Sequence, residues 1–388
     1  MSFLTKTRYT TLLVDNGIQD NSLLSSVDNQ HINCLVSLAL GIGDYMNEET
    51  KFQLAHSICN MQDLAESLEL STEEMARHDK KIRITPYILQ AIKNGNLQIR
   101  KQFIPFSGQR SLIFEDDYLQ EESYSPVENF VHRYKNKAIY IATDQCACFC
   151  QFCTRQRVTQ CSHPYKDNLE EILEYLHKHK EINDLLITGG DPLILDTSRI
   201  SRILEAVSSL QHIKVIRIGT RVPITLPMRI DAGLLDALGK YNNLYINIHI
   251  NHISELTAES RKAIVSLANK GIPLGSQTVF MAGINNNEIA LRELFSELIS
   301  IKVKPYYLYQ CDKVKGCEEY VADVLEGIRI INSLCNTMSG FAIPKFVVDT
   351  PELGKMVLAP CSITALFDGQ LCLASPQGEC NYSVTNED

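Results

Sequence analysis

The chain has 388 residues, 45% of them hydrophobic, which is enough to bury a large core and predicts two or three domains or one barrel with extensions. Its formal net charge of -9 is spread along the chain without a basic block, which argues against nucleic acid as a partner and favours a small-molecule substrate. The start of the chain lacks a signal-peptide pattern, and the most apolar run, Ile32–Ile42, is too short to span a bilayer. We therefore expect a cytoplasmic protein with no membrane partner.

The first 110 residues are polar and have helical periodicity, with patterned segments at Glu48–Met61 and Thr85–Gly95. Turn-forming residues between Gln102 and Lys135 indicate an irregular connector. The sequence thus predicts three parts: an N-terminal helical region at residues 1–110, a central domain at residues 111–350 and a C-terminal segment at residues 351–388.

The central domain alternates short β-rich runs with amphipathic stretches of helical length. The runs are Ala138–Ala142, Asp184–Thr188, Lys214–Ile218, Leu244–Ile250, Leu274–Phe280, Lys304–Tyr309 and Lys345–Val348. Such alternation predicts an α/β fold with a parallel sheet, either an open doubly wound sheet or a full or partial barrel. In both architectures ligands bind at the carboxyl ends of the strands.

Residues with useful chemistry stand where these strands end. They are Cys146–Cys153 after the first strand, Gly189–Asp191 after the second, Arg221 after the third, His249 at the end of the fourth and Asp312 after the sixth. The order of the strands therefore predicts that these side chains meet on one face of the domain.

Three cysteines in the loop after the first strand, Cys146, Cys150 and Cys153, can converge on one iron–sulfur cluster. Such clusters normally take four cysteines, so a set of three leaves one iron open to bind a small molecule. A zinc site and a redox dithiol made by Cys150 and Cys153 are alternatives, but neither explains Cys146. Cys146, Cys148 and Cys150 alternate in this loop, and the choice of Cys146 over Cys148 rests on the family spacing given below. Cys161 is near enough to serve as a fourth ligand, in which case the cluster would only transfer electrons.

The C-x3-C-x2-C spacing resembles the signature of the radical S-adenosylmethionine superfamily, and the following Thr154-Arg-Gln-Arg157 resembles the lysine 2,3-aminomutase family. Further segments resembling that family follow its order over roughly residues 100–360. They are Ser125-Pro-Val, His132-Arg-Tyr134, Thr188-Gly-Gly-Asp191, Arg217-Ile-Gly-Thr-Arg221, Asn247-Ile-His249, Asn251-His252, Pro273-Leu-Gly-Ser-Gln277, Pro305-Tyr-Tyr-Leu-Tyr-Gln-Cys-Asp312, Phe346-Val-Val-Asp349 and Gly354-Lys355.

The resemblance implies a partial (β/α)6 barrel with an N-terminal helical extension and a short C-terminal extension. It implies three cofactors, namely a 4Fe–4S cluster, S-adenosylmethionine and pyridoxal phosphate, and an isomerase that moves the α-amino group of L-lysine to the β-carbon. A reducing partner such as flavodoxin or ferredoxin would supply electrons, and a homo-oligomer is compatible with the resemblance.

The resemblance also assigns residues to these groups. Lys355 would hold pyridoxal phosphate covalently through its amine, Arg133 and Lys137 would bind the phosphate, and Tyr134 and Tyr309 would contact the cofactor. The methionine end of S-adenosylmethionine would lie against Gly189, Gly190 and Asp191, and its adenosyl part would lie near His249 and Gln277. For the substrate, Arg155 would bind the α-carboxylate, while Asp312 and Asp349 would receive a cationic side chain.

Simpler readings accompany these roles. Gly189 and Gly190 could serve a tight turn, and Arg155 could pair with a structural carboxylate. The chain departs from the family at Gln151-Phe152, where Arg-His is usual, and at Lys137, where an arginine is usual. Because Asn287 stands where the family has a zinc-binding cysteine, and Cys361, Cys372 and Cys380 are scattered, we expect no zinc.

Arginine is the closest rival to lysine, because a guanidinium suits two aspartates in charge and geometry. Glutamate fits worse, since two aspartates would repel its side chain. Elimination or dehydrogenation on the same scaffold and, from another class, a non-catalytic iron–sulfur electron carrier remain alternatives.

Overall fold

The computed structural model describes residues 46–70, 81–105, 114–160, 165–360, 363–367, 370–375 and 378–383, all within the compact unit Gly41–Asp388. The apolar run Ile32–Ile42 and the cysteines Cys161 and Cys361, which the sequence analysis singled out, lie outside these residues. Among the helices in the described ranges, none combines the length and the hydropathy that a membrane span requires.

Four short helices precede the sheet: α1 (Glu48–Ala55), α2 (Met61–Leu68), α3 (Pro86–Lys93) and α4 (Leu97–Phe103). Each begins after a side chain that accepts a hydrogen bond from the backbone of its first turn, supplied by Asn47, Asn60, Thr85 and Asn96. The predicted segment Glu48–Met61 is not one helix, because Asn60 starts a new one and Ile58 forms a bridge with Ile84.

The described residues form one nine-stranded sheet in the order of the chain. Its strands are β1 (Phe130–Tyr134), β2 (Lys137–Ile141), β3 (Asp184–Thr188), β4 (Val215–Thr220), β5 (Leu244–His249), β6 (Leu274–Phe280), β7 (Val303–Gln310), β8 (Lys345–Thr350) and β9 (Gly354–Ala359). Strands β2 to β8 are parallel, while β1 and β9 pair antiparallel at the two edges. The sheet is curled and open, which confirms the predicted partial barrel.

Helices connect the parallel strands, as a parallel sheet requires. They are α5 (Gln156–Thr159), α6 (Leu169–Lys178), α7 (Thr197–Ser208), α8 (Val222–Thr225), α9 (Ala232–Leu238), α10 (Ala258–Asn269), α11 (Glu288–Ser300) and α12 (Val324–Thr337). Short 3₁₀ turns add Glu121–Tyr124, Pro192–Ile194, Pro227–Arg229, Ile253–Glu255, Glu318–Tyr320 and Gly340–Ala342. Asn287 caps α11 by accepting a hydrogen bond from the backbone of Ala290.

Successive side chains of each strand point to opposite faces of the sheet, and this alternation determines which residues line the cavity. In β4, Ile216 and Ile218 are buried, whereas Arg217 and Gly219 line the cavity on the inner side of the sheet. Each isoleucine removed from water contributes about 1.5–3 kcal/mol, so this register is strongly fixed. The side chains on the inner side of the sheet are therefore available to bind ligands.

Three features were not predicted. The segment Gln102–Lys135, interpreted as an irregular connector, contains the edge strand β1, which pairs antiparallel with β2. Strand β9 returns antiparallel along β8, and this pairing extends β8 to Thr350, two residues beyond the predicted run. The C-terminal residues form a separate antiparallel sheet of β10 (Ile363–Phe367), β11 (Gln370–Ser375) and β12 (Gly378–Ser383). None of these elements belongs to the β-α alternation that carried the sequence prediction.

Candidate active site

A cavity of about 380 Å³ opens on the inner face of the sheet, at the carboxyl ends of the parallel strands. Every site residue named from the sequence lines it: Cys146, Cys150, Cys153, Gly189, Gly190, Asp191, His249, Gln277, Arg133, Tyr134, Lys137, Tyr309, Lys355, Arg155, Asp312 and Asp349. The structure therefore brings together residues that are separated by more than 200 positions in the chain.

The three cysteines of the C-x3-C-x2-C loop lie close to one another after β2. Burial raises the pKa of Cys146 well above its usual value, and the neighbouring Cys153 and Cys150 thiols raise it further. Sγ of Cys150 accepts a hydrogen bond from Arg221 at 2.7 Å, and Sγ of Cys153 accepts one from the backbone N–H of Arg155 at 3.4 Å. These donors favour thiolates, which are the ligands that iron requires.

No three His, Cys, Asp or Glu side chains in the described part of the chain meet closely enough to hold a single metal ion. A 4Fe–4S cube places each of its cysteine sulfurs on a different iron, so its ligands stand further apart than those of one ion. Three neighbouring thiols around a cavity fit the cube in this respect.

Cys148, the other cysteine of the loop, belongs to a different environment. Its thiol is 4% exposed and packs with Leu64, Ile84 and Ile99 of the helical region. The backbone N–H of Thr85 donates to its sulfur at 3.4 Å, and burial raises the pKa of Cys148 to about 11. The sulfur of Cys148 is thus held by the helical region, whereas those of Cys150 and Cys153 accept hydrogen bonds from Arg221 and Arg155.

The glycine pair after β3 lies against the cysteine loop. A Cβ atom on Gly189 would collide with the backbone of Thr143, and one on Gly190 would collide with Gln145. The backbone N–H of Gly190 donates to the carbonyl of Thr143 at 2.7 Å. Close approach of the backbone of Thr143 and Gln145 therefore requires both glycines.

Asp191 is buried, and its carboxylate is held at the end of β4. It accepts hydrogen bonds from the hydroxyl of Thr220 and the backbone N–H of Arg221, both at 2.6 Å, and from Val222 at 3.0 Å. Despite these donors, burial raises the pKa of Asp191 to about 6. The carboxylate ties β3 to β4 beside the cavity, and its predicted contact with S-adenosylmethionine stays a prediction.

His249 and Gln277 lie on neighbouring strands in register with each other. Nε2 of His249 is buried and has no hydrogen-bond partner among the residues that the structure describes. Burial, aided by the Arg221 charge, lowers the pKa of His249 to about 3. The ring of Phe152 contacts His249 edge to face, with 5.3 Å between the ring centres. A neutral imidazole with an unused nitrogen can donate to or accept from a ligand.

Lys355 projects from β9 into the cavity among aromatic rings. Its Nζ lies 2.6 Å from Oδ2 of Asp349 and 4.1 Å from the centre of the Tyr309 ring. Burial lowers the pKa of Lys355, although the Asp349 carboxylate acts in the opposite direction. The hydroxyl of Tyr134 accepts a hydrogen bond from the backbone N–H of Lys355 at 3.0 Å, which fixes the strand. A lysine in such a place is suited to covalent chemistry with an aldehyde.

Two cations stand at the β1–β2 edge, where the phosphate of a cofactor was predicted. Nη2 of Arg133 donates to the carbonyls of Thr350 at 2.8 Å and Pro351 at 2.6 Å, so this arginine holds the turn between β8 and β9. Nζ of Lys137 lies 4.1 Å from the centre of the Tyr134 ring. Both side chains line the cavity, and together they supply the positive charge that a phosphate needs.

Arg155 faces a carboxylate that the sequence analysis did not name. Its Nη2 lies 2.6 Å from Oε1 of Glu121, and its Nε lies 3.1 Å from both carboxylate oxygens. Arg157 approaches the same carboxylate at 3.1 Å. Although burial alone would raise it, the two guanidiniums lower the pKa of Glu121 to about 2. Among the described residues Nη1 of Arg155 has no hydrogen-bond or ion-pair partner, and it can donate to a substrate carboxylate.

Asp312, two residues beyond β7, is the least satisfied carboxylate of the cavity. Its Oδ1 is buried and makes no hydrogen bond in the described structure. Burial and the neighbouring Asp349 carboxylate raise the pKa of Asp312 to about 7. An unpaired buried acceptor of this kind is costly unless a donor, such as a cationic ligand, completes it.

Three residues of the site were missed or left without a role by the sequence analysis: Glu121, Arg221 and Glu255. Glu121 lies in the segment interpreted as an irregular connector, and Glu255 lies in the turn after β5. Arg221 had a usable signal, because it directly follows the third predicted strand.

Comparison with known proteins gives consistent matches. The family model described as Radical SAM superfamily matches residues 140–295. The chain is 37% identical over 345 residues to L-lysine 2,3-aminomutase of Methanococcus maripaludis, with 84% of this chain and 79% of that protein covered. It is 36% identical over 315 residues to L-lysine 2,3-aminomutase of Acetoanaerobium sticklandii, covering 78% of this chain and 76% of that protein. The chain is also 36% identical over 322 residues to glutamate 2,3-aminomutase of Clostridioides difficile, with 80% of this chain and 76% of that protein covered.

Proposed function

Because the chain belongs to the lysine 2,3-aminomutase family of the radical S-adenosylmethionine superfamily, we propose that it converts L-lysine to β-lysine by moving the α-amino group to the β-carbon. The chain is an enzyme of the isomerase class, and its cofactors are a 4Fe–4S cluster, S-adenosylmethionine and pyridoxal phosphate. When bound, the cluster supplies the electron that cleaves S-adenosylmethionine, and pyridoxal phosphate carries the migrating nitrogen. A small electron carrier such as flavodoxin or ferredoxin would reduce the cluster.

The residues of the cavity fit these groups as follows. Cys146, Cys150 and Cys153 would bind three irons and leave the fourth open to S-adenosylmethionine. Lys355 would hold the pyridoxal group, and its phosphate would lie toward Lys137 and Arg133. Each of these groups faces the same cavity, so the reacting atoms would be held close together and away from water.

The observation that carries the choice of lysine is the pair of carboxylates at one part of the cavity. Within the described residues Asp312 has a buried oxygen without a donor, and Asp349 lies 2.6 Å from the amine of Lys355. The ammonium terminus of a lysine substrate would satisfy both carboxylates, while Arg155 would bind its α-carboxylate with the donors that Glu121 leaves free.

Sequence identity alone does not distinguish lysine from glutamate as the substrate, because a lysine and a glutamate 2,3-aminomutase are both 36% identical to the chain. Charge supports lysine over glutamate, since a glutamate side chain would meet the carboxylates of Asp312 and Asp349 and leave them uncompensated. Arginine is the second candidate, because its guanidinium can donate to both aspartates at once.

The test is anaerobic reconstitution with iron, sulfide, S-adenosylmethionine, pyridoxal phosphate and a reductant, followed by product analysis with L-lysine, L-arginine and L-glutamate in parallel. We expect β-lysine as the main product and the lysine reaction to have the highest kcat/KM. If the loaded protein prefers arginine or glutamate, lysine is the wrong substrate. If it forms a dehydrogenated or deaminated product instead of a β-amino acid, the migration itself is wrong.

A further inference from the structure

Arg221, which directly follows β4, is a buried arginine in contact with the cysteine loop. It is 6% exposed, and its Nη1 donates to Sγ of Cys150 at 2.7 Å. Its guanidinium lies between two aromatic rings, 4.6 Å from the centre of Phe103 and 5.2 Å from that of Phe152. The contact with sulfur is therefore made by a permanent positive charge that water hardly reaches.

The other edge of the guanidinium is held by a rigid set of acceptors. Nη2 donates to Oε2 of Glu255 at 2.9 Å and to Oε1 of Gln102 at 2.5 Å. Glu255 is itself 1% exposed, and its other oxygen accepts the backbone N–H groups of Asn251 and His252. Arg221 is consequently fixed in place from the side opposite to Cys150.

We propose that Arg221 is a positioning residue that sets the reduction potential of the cluster through its charged hydrogen bond to Cys150, and that Glu255 moderates this effect. The inference rests on the proposed role of Cys150 as a cluster ligand. The step that Arg221 would affect is the gain of one electron by the cluster, from the 2+ to the 1+ state. The external reductant supplies the electron, and no bond is made or broken.

The sign follows from electrostatics. Reduction adds a negative charge to the cluster, and a hydrogen bond or positive charge at a ligand sulfur stabilises the reduced state. Arg221 therefore makes the cluster easier to reduce, whereas the carboxylate of Glu255 opposes it. Because both groups are buried, salt screens them little.

The experiment measures the midpoint potential of the reconstituted cluster by a redox titration followed by electron paramagnetic resonance. Arg221→Gln should make one-electron reduction about tenfold less favourable, a shift of about 59 mV to more negative potential. Glu255→Gln should shift the potential in the positive direction. Arg221→Lys keeps a charge but loses the fork, so it should give a smaller negative shift, and it supplies the measurement if Arg221→Gln does not retain the cluster.

Arg229→Gln is the matched control, because Arg229 is also fully buried but donates to Leu195 and Thr197 and does not line the cavity. Its potential should equal that of the wild type. The inference is overturned if the Arg221 variants keep the wild-type potential, if Glu255→Gln moves it in the same direction as Arg221→Gln, or if Arg229→Gln moves it equally. A wild-type chain that binds no cluster would instead refute the proposed function.

Discussion

Asp349 and Lys355 are paired across strands β8 and β9, and the Nζ of Lys355 lies 2.6 Å from Oδ2 of Asp349. The short turn between the strands thus places an amine and a carboxylate side by side in the cavity. Asp349 holds the amine in position, while burial favours the neutral form that attacks an aldehyde.

This pairing leads to a prediction for Lys355→Ala. We expect the variant to form no covalent adduct with pyridoxal phosphate after borohydride reduction, as measured by the mass of the intact protein, and to lose activity. Lys345→Ala is the control, since Lys345 is an exposed lysine on β8. An adduct of unchanged yield in Lys355→Ala would show that another lysine holds the cofactor.

We expect Asp312→Asn to increase the stability of the cofactor-free protein and to weaken its binding of lysine. The pKa of Asp312 is raised from 3.8 to about 7, so the folded state binds a proton more readily than the unfolded state. A raised carboxyl pKa means that stability is lost as pH increases through the window between these values. In the cofactor-free protein, we expect the variant to be stabilised by on the order of 2 kcal/mol at pH 8 and by little at pH 4.

The same variant should bind lysine poorly, because one of the two carboxylates for its ammonium is lost. We expect KM for lysine to increase at least about tenfold. Asp323→Asn, which changes the exposed carboxylate that caps α12, is the control for both measurements. If Asp312→Asn leaves KM unchanged, Asp312 does not bind the substrate side chain, and equal unfolding free energies at pH 4 and pH 8 would contradict its raised pKa.

The parallel strands β2 to β8 were predicted within a few residues because their signal is local. The run Asp184–Thr188 was predicted from its β-rich composition, and it is β3 in the structure. Parallel order then places the residues after each strand on one face, which is why the sequence alone groups Cys146, His249 and Asp312.

Pairs of distant residues could not be predicted in the same way. Arg155 contacts Glu121, which is 34 positions away in the sequence, and Arg221 contacts Gln102, which is 119 positions away. No periodic pattern in the sequence identifies either Glu121 or Gln102 as a partner. Such contacts depend on how the segments before the sheet fold back over the strand ends, which is a property of tertiary packing. Strand β9 was missed for a related reason, since an edge strand carries no helix after it.

We expect Glu121 to stabilise the folded protein through its ion pairs with Arg155 and Arg157, in addition to lying near the substrate. Its pKa of about 2, against an ordinary 4.5, means that its stabilising effect is present above pH 4.5 and is lost as pH falls toward 2. Glu121→Gln leaves Arg155 and Arg157 without their shared carboxylate, so we expect a loss of roughly 3 kcal/mol at pH 7 by chemical denaturation.

Glu122→Gln is a close control, because Glu122 is next in the chain and its side chain is 80% exposed. It should change the unfolding free energy by less than about 0.5 kcal/mol. The acid transition of Glu121→Gln should also be flatter between pH 4.5 and pH 2 than that of the wild type. Equal effects of the two substitutions would mean that Arg155 and Arg157 do not depend on Glu121.

The four cysteines between residues 146 and 153 should divide into two classes. All four line the cavity, but Cys148 is also a buried member of the helical core, where its sulfur accepts a hydrogen bond from the backbone of Thr85. We expect Ala in place of Cys146, Cys150 or Cys153 to abolish the 4Fe–4S signal in electron paramagnetic resonance and to reduce bound iron and sulfide. Cys148→Ala should retain the cluster and instead lower the unfolding free energy by about 1 kcal/mol, since it removes one buried sulfur from a packed core. Loss of the cluster in Cys148→Ala with retention in Cys146→Ala would reverse the assignment, because it would place the ligand sulfur on the residue whose thiol packs in the helical core.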